Sequence, residues 1–227
     1  MTRQVFGVKY EPMGRNEELR TNPLDILAQK AREKQISVQN VEARIRRPFT
    51  DEEKEALKKV RLTAIYSLTG ETIVDQIEKG RKFWHVAGSI NSSLLTLRSF
   101  QGDVAVDLRP NKFYLPKSNY LALDEQLEMV DEYSHDLQRK LRTSSIEAIL
   151  GQAPDYTELV FAYRDATGKR LFGYKYNFSY TRTQTSTAGS SFANVGNYGA
   201  VMGLDVYDWD KDYGDVSIYA VPLIVAK

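Results

Sequence analysis

The most regular alternation of apolar and polar positions along the chain runs over residues 169–182. Its even positions hold aromatic or basic residues, and its odd positions hold mostly small or polar ones. Since successive side chains of a strand point to opposite faces, this pattern predicts a strand with one aromatic face. Residues 158–164 alternate in the same way and predict a partner strand, joined to the first by a glycine-containing turn at residues 165–168.

Several other segments have the composition of strands. They cover residues 83–86, 94–97, 104–108, 199–207 and 216–225, and the last two are expected to form a hairpin. Residues 183–197 differ, because they consist mostly of Ser, Thr, Gly and Asn. That composition predicts a long loop between the two hairpins.

Apolar residues recur at helical spacing elsewhere in the chain. The predicted helices cover residues 51–66, 71–79, 121–142 and 144–151. Thr50 and Glu53 form a capping box at the start of the first one. The stripe of the 121–142 helix contains one polar position, Ser134, and fits either packing on a sheet, which we favour, or pairing with another helix.

These elements together predict an α+β fold, in which helices pack on an antiparallel β-sheet or sandwich. Residues 1–49 are polar and poor in aromatic side chains, apart from an apolar stripe of Leu24, Leu27, Ala28 and Ala31 that follows Pro23 in the first turn of a helix. We expect them to form an extended basic N-terminal arm with one short helix. Residues 50–227 are expected to form a single α+β globular domain.

The net charge of +1 over 227 residues indicates no particular class of partner, but its distribution is uneven. Residues 1–49 carry ten Lys and Arg against six Asp and Glu, whereas residues 199–227 carry five Asp against two Lys. The absence of cysteine excludes disulfides and thiolate chemistry. With neither a signal-peptide pattern nor a run of apolar residues long enough for a transmembrane segment, we expect a cytoplasmic protein or one assembled into a particle from the cytoplasm.

Motifs for catalysis are absent from the sequence. The two histidines, His85 and His135, have no metal-ligand spacing to one another or to other ligands, and His85 beside Trp84 is most simply a partly buried strand residue. No Gly-x-Ser-x-Gly elbow, phosphate-binding loop or Gly-x-Gly-x-x-Gly fingerprint occurs. We therefore expect a protein that is not an enzyme and that holds no cofactor.

The aromatic strand has two interpretations. It is either one wall of the hydrophobic core, which we favour, or a platform on which the bases of single-stranded nucleic acid stack. In the second case a group of arginines before residue 50 would supply further phosphate contacts, although a solvated or protein-paired charge run is the simpler interpretation of that group. The candidate nucleic-acid-binding residues are Arg170, Tyr174, Lys175, Tyr176, Tyr180, Arg182, Arg44, Arg46 and Arg47.

The acidic segment over residues 204–215 places Asp208 and Asp210 on either side of Trp209, after an apolar strand. It resembles the calcium loop of the C-two family of calcium- and phospholipid-binding domains. The resemblance implies that Asp208 and Asp210 are oxygen ligands for calcium, joined by Asp215, and that the protein is a calcium-dependent lipid-binding module. The alternative, which we favour, is an ordinary solvated hairpin turn.

The functional hypothesis favoured by the sequence is a non-catalytic structural protein that takes part in complex assembly. Its N-terminal arm and the Ser/Thr/Gly-rich loop would contact neighbouring subunits of a homo- or hetero-oligomer, and a virion is one setting for such contacts. A nucleic-acid partner stays open as the alternative, and a membrane partner is not expected.

Overall fold

The computed structural model describes residues 44–87, 93–109, 112–172 and 179–227. Within those residues the chain forms five helices and nine strands, which confirms the predicted α+β class. The helices are α1 Asp51–Lys59, α2 Ile73–Glu78, α3 Ser93–Thr96, α4 Leu123–Leu141 and α5 Ala153–Thr167. The strands are β1 Ala64–Thr69, β2 Phe83–Val86, β3 Gln101–Val106, β4 Ile146–Ile149, β5 Tyr180–Ser186, β6 Ser191–Gly199, β7 Gly203–Asp210, β8 Ile218–Tyr219 and β9 Leu223–Ala226.

The first sheet is antiparallel and has four strands in the order β1-β3-β9-β4. Successive side chains of β9 point to opposite faces of this sheet, and all of them are buried. Leu223 and Val225 face one hydrophobic cluster, and Ile224 and Ala226 face another. Both faces of this sheet are therefore covered.

The second sheet is mixed and has five strands in the order β2-β7-β6-β5-β8. The edge strands β2 and β8 run parallel to their neighbours, while the three central strands are antiparallel. Val195, Leu204 and Val206 on its inner face belong to the hydrophobic cluster that also contains Leu223 and Val225. One core is thus shared by the two sheets.

Helix α5 supplies the centre of that shared core. Every residue from Ala153 to Phe161 is buried, and the helix contacts β1 of the first sheet and both β5 and β6 of the second. The hydroxyl of Tyr156 accepts a hydrogen bond from the backbone N–H of Gly151 and donates one to the carbonyl of Val221. A fully buried tyrosine of this kind ties the helix to the chain on both sides of it.

Helix α4 covers the other face of the first sheet, as predicted. Val130 and Leu137 pack with Ile146 and Ala148 of β4. Ser134, the polar residue in the apolar stripe, accepts a 2.8 Å hydrogen bond from the backbone N–H of Ala148. The serine therefore satisfies a strand donor beneath the helix.

The described part of the predicted arm, residues 44–49, lies against the first sheet. Arg46 donates its backbone N–H to the carbonyl of Gln101, and Gln101 donates to the carbonyl of Arg44. A Cβ on Gly102 would lie 2.1 Å from the carbonyl oxygen of Arg46, so only glycine permits this close approach. Phe49 is buried and donates its N–H to Asp103.

The predicted strand over residues 158–164 is wrong, because these residues lie in α5. Pro154 and Asp155 occupy the first turn, and Gly168 ends the helix with a φ of 69°. The helix is buried all round from Ala153 to Phe161, so this part has no polar face and the 3.6-residue period disappears from its sequence. The chance alternation of Leu159, Phe161 and Tyr163 then resembled a strand.

The predicted loop over residues 183–197 is also wrong, because it forms the β5–β6 hairpin. Threonine is β-branched and favours strands, and the inward hydroxyls satisfy backbone groups. Thr183 donates to the carbonyl of Ala193, and Thr185 accepts from the N–H of Ala153. Of the long strand expected over residues 169–182, β5 begins only at Tyr180, and residues 173–178 lie outside the described part of the chain.

Several shorter assignments also change. Residues 146–149 form strand β4 where a helical turn was expected, and residues 93–96 form helix α3 where a strand was expected. The first helix ends at Lys59. The hairpin predicted from residues 199–207 and 216–225 does not form, since β7 and β9 lie in different sheets. In all these places tertiary packing, which a short window cannot show, decides the local structure.

No helix in the described residues is both long enough and apolar enough to span a membrane.

Candidate functional site

The outer face of the five-stranded sheet carries an unusual group of aromatic and polar side chains. It faces away from the shared core, which contains the intervening residues Leu204 and Val206 of β7. We call it the aromatic–carboxylate surface, and it consists of His85 on β2, Tyr180 on β5, and Asp205, Tyr207 and Trp209 on β7.

Asp205 lies at the centre of the aromatic–carboxylate surface. The residue is only 3% exposed, and its Oδ2 accepts a 2.6 Å hydrogen bond from the hydroxyl of Tyr180. Its Oδ1 lies 3.5 Å from Nδ1 of His85 and has no hydrogen-bond partner among the described residues. Burial raises the pKa of Asp205 above its ordinary value, since a charged carboxylate loses water there.

The aromatic rings form a continuous row across this face. The ring centroids of His85 and Tyr207 are 5.3 Å apart, those of Tyr207 and Trp209 are 4.9 Å apart, and those of Tyr180 and Trp209 are 5.0 Å apart. The side chain of His85 is 48% exposed, and Tyr207 is 43% exposed. Part of the row is therefore open to a ligand, while Tyr180 is buried.

A glycine on the central strand makes this arrangement possible. Gly196 of β6 pairs with Tyr180 on one side and with Asp205 on the other. A Cβ at this position would lie 2.1 Å from the carbonyl oxygen of Ser179 and 2.6 Å from the Cα of Tyr180. The absence of a side chain lets the hydrogen bond between Tyr180 and Asp205 cross above the middle strand.

Two neighbouring polar residues on the same face are completely buried. Arg182 donates to the backbone carbonyls of Asp210 and Tyr213, and burial lowers the pKa of its guanidinium. Asn194 donates to the carbonyl of Phe192. Nε of Arg182 and Oδ1 of Asn194, like Oδ1 of Asp205, have no hydrogen-bond partner among the described residues. Arg182 thus holds the acidic turn and is not presented to solvent.

The acidic turn itself is held by hydrogen bonds within the protein. Asp210 accepts from the hydroxyl of Ser190 and from the N–H of Asp212, Asp208 accepts from Thr187, and Asp215 accepts twice from Ser217. Among the described residues no three His, Asp or Glu side chains form a group suited to a metal ion. The contacts of Asp208, Asp210 and Asp215 therefore add no support to a calcium site.

The three arginines before residue 50 that the structure describes each contact a carboxylate of the domain. Arg44 lies 2.6 Å from Asp155, Arg46 lies 2.7 Å from Glu147, and Arg47 lies 2.6 Å from Glu53. Their charges are compensated within the fold. Residues 1–43 on their own carry seven Lys and Arg against six Asp and Glu, so most of the positive charge of the predicted arm comes from this arginine group.

The other candidate nucleic-acid-binding residues are dispersed. Tyr174, Lys175 and Tyr176 lie outside the described residues. Arg170 donates to the backbone carbonyl of Tyr198. Since Tyr180 and Arg182 are buried, the described members of this set add no support to stacking of bases.

The chemistry of the aromatic–carboxylate surface suits a cationic ligand. A half-exposed tyrosine ring attracts a positive charge to its face, and a carboxylate oxygen with a spare acceptor site can receive an N–H donor. Local sequence patterns do not predict this site, because His85 and Asp205 come together only through the parallel pairing of β2 with β7. The available signal was the spacing of Asp205, Tyr207 and Trp209 at every second position, with the apolar residues Leu204 and Val206 on the opposite face.

Comparison of the chain with protein-family models, with curated protein sequences and with solved structures found no match.

Proposed function

We propose that this protein is a non-catalytic assembly protein that contacts other protein subunits of a larger complex. In this proposal the aromatic–carboxylate surface receives a basic side chain from a segment of the partner. The observation that carries the proposal is the buried carboxylate of Asp205, whose Oδ1 has no hydrogen-bond partner among the residues that the structure describes and lies beside half-exposed rings. Assembly into a particle stays a prediction from the sequence.

An arginine of the partner has the chemistry that this surface needs. Its planar guanidinium can stack on the ring of Tyr207 while it donates an N–H to Asp205. Aromatic residues and arginines are enriched at protein interfaces for the same reason. Displacement of the His85 ring, which is 3.5 Å from Oδ1 and half-exposed, would open the carboxylate to that donor.

The charge around the surface favours a basic partner over nucleic acid. Asp208, Asp210 and Asp212 follow Asp205 on β7 and in the turn after it, with Lys211 paired to Asp212. This negative field would speed the approach of a basic segment and repel phosphate groups.

Titration with a hexa-arginine peptide tests the proposal. Trp84 and Trp209 are the two tryptophans of the chain, and Trp209 belongs to the surface, so binding should change its fluorescence. We expect Asp205→Asn and Tyr207→Leu each to weaken binding by about fivefold or more. A hexa-glutamate peptide should not bind.

The matched control is Asp131→Asn. Asp131 also lies near a histidine, with 3.8 Å between its Oδ2 and Nδ1 of His135, but the pair is exposed on α4 away from the rings. This variant should bind the peptide like the wild type. Equal loss in all three variants, or no loss in any of them, would contradict a cation site at Asp205.

A further inference from the structure

A second candidate site is a cleft on the α4 side of the four-stranded sheet. It has a volume of about 390 Å³, within the usual range of about 300–1,000 Å³ for ligand pockets. Its apolar lining includes Leu115 and Leu137. Its polar lining comes from Asp107, Arg109, Lys112, Tyr133 and Lys140.

The rim of this cleft has an excess of positive charge. The guanidinium of Arg109 is engaged by Asp107, which accepts a 2.8 Å hydrogen bond from its Nε. The ammonium groups of Lys112 and Lys140 have no ion-pair or hydrogen-bond partner in the part of the chain that the structure describes. Two lysine charges are therefore left to attract an anion.

Tyr133 adds a neutral donor to the same cleft. Burial raises the pKa of its hydroxyl to about 12, so the group stays protonated at neutral pH. The nearby charge of Asp107 acts in the same direction. A protonated phenol can donate a hydrogen bond to an anion that the lysines hold.

We propose that this cleft binds an amphipathic anion, with a phosphate or carboxylate head on a short alkyl or aryl group. The lysines would hold the head, the hydroxyl of Tyr133 would donate to it, and the apolar group would lie on Leu115 and Leu137. Leu115 and Leu137 form the buried apolar floor of the cleft. An inorganic ion has no apolar group to bury against them. This site is separate from the aromatic–carboxylate surface, and the proposal does not depend on it.

Isothermal titration calorimetry with hexyl phosphate tests this proposal on the full chain. We expect hexyl phosphate to bind about tenfold or more tightly than inorganic phosphate, because the hexyl group buries apolar area. It should also bind about tenfold or more tightly than 1-hexanol, which lacks the charge. The double variant Lys112→Ala/Lys140→Ala should weaken hexyl phosphate binding by about tenfold, and Tyr133→Phe should weaken it by a smaller factor.

Lys169→Ala is the matched control, because Lys169 is an exposed lysine that does not line the cleft. It should leave binding unchanged. Equal affinity for hexyl phosphate and inorganic phosphate, or an unaltered affinity in the double lysine variant, would overturn the proposal. A circular-dichroism melt of each variant checks that the fold is retained.

The anion could be the head group of a membrane lipid or a free amphipathic phosphate, and vesicles that contain phosphatidate distinguish these two sources. Co-sedimentation that the double lysine variant abolishes would identify the head group as that of a lipid. Binding of hexyl phosphate without co-sedimentation would identify a free amphipathic phosphate.

Discussion

Glu53 holds together three parts of the chain with one carboxylate. Two N–H groups of Arg47 donate to it at 2.7 and 2.6 Å, the backbone N–H of Thr50 donates at 2.9 Å, and the hydroxyl of Ser145 donates as well. These donors, chiefly Arg47, lower the pKa of Glu53 from 4.5 to about 2.

We expect Glu53→Gln to lower the free energy of unfolding by about 1–3 kcal/mol at neutral pH, because the donors lose a charged acceptor. Since the pKa of Glu53 is lower in the folded state, its contribution is complete above pH 4.5 and is lost as the pH falls through about 2. Urea denaturation at several pH values should show that the difference in the free energy of unfolding between wild type and variant decreases as the pH falls from 4.5 to about 2. The control Glu55→Gln breaks only an exposed pair with Lys58 and should cost less than about 0.5 kcal/mol.

The contribution of Asp205 to stability is expected to have the opposite pH dependence. Its pKa is raised in the folded state by burial, so its contribution to stability is greatest at low pH and is lost as the pH rises through the folded-state value. His85 and Tyr180 are the titratable groups that contact it. Asp205→Asn keeps an acceptor for Tyr180 and removes the buried charge.

We therefore expect the melting temperature of Asp205→Asn to rise relative to that of the wild type as the pH increases from about 4 to about 8. Differential scanning calorimetry across this range measures the effect. A difference in melting temperature between the two proteins that stays constant with pH would show that burial of the carboxylate carries no desolvation cost.

Some residue-scale features could be predicted from sequence and others could not. The capping box of Thr50 and Glu53 was visible because both partners lie within one helical turn. The link between Glu53 and Ser145, like the one between His85 and Asp205, joins residues far apart in the chain. Such pairs depend on the register of sheets and helices, which local patterns do not contain.

At the scale of elements, the β5–β6 pair depends on Gly196. We expect Gly196→Ala to destabilise the fold by about 1–3 kcal/mol, because its Cβ would meet the backbone of Ser179 at 2.1 Å. Separation of β5 from β6 would also break the hydrogen bond between Tyr180 and Asp205 and weaken hexa-arginine binding. Thermal melts and the peptide titration measure the two effects.

Gly189→Ala is the control for that substitution. Gly189 has a φ of +60° and nothing within 4 Å of an added Cβ, so the change should cost only about 1 kcal/mol of backbone strain. Peptide binding should be unaltered in this variant. A loss of binding as large as that of Gly196→Ala would mean that the close approach at Gly196 is not what positions Asp205.

Element type was predictable where one face met solvent. Helices α1 and α4 have apolar stripes and polar backs, and both were found with errors only at their ends. Helix α5 has neither, since Ala153 to Phe161 are buried on all sides. Residues 183–186, the threonine-rich second part of β5, fall in the predicted loop because their composition resembles that of a loop, although the hydroxyl of Thr183 satisfies a backbone carbonyl.

At the scale of the whole molecule, the two sheets are expected to unfold together because they share one core around α5. Both tryptophans report on the five-stranded sheet, since Trp84 lies on β2 and Trp209 on β7. Ile224→Ala removes a side chain from the face of the other sheet that packs on α4.

We expect Ile224→Ala to lower the free energy of unfolding by about 2–5 kcal/mol, with the same urea midpoint by tryptophan fluorescence and by circular dichroism. A fluorescence transition that stays at the wild-type midpoint would show that the five-stranded sheet unfolds independently. The exposed substitution Val201→Ala, in the β6–β7 turn, should leave both signals unchanged.

The α+β class was predictable from the balance of patterns, but the division into two sheets was not. Periodicity identifies which residues are buried without showing what they are buried against. The sequence predicts one hairpin from residues 199–207 and 216–225, whereas the fold places β7 and β9 in different sheets, with β8 between them in the chain.

The position of β9 has a consequence for the order in which the protein can form during synthesis. Strand β9 lies between β3 and β4, and it is the last of the four to leave the ribosome. Until it inserts, β3 and β4 expose backbone edges with no neighbour between them. The four-stranded sheet therefore stays incomplete until β9 has been synthesised. During this interval we expect the nascent chain to be most prone to aggregate and to bind chaperones.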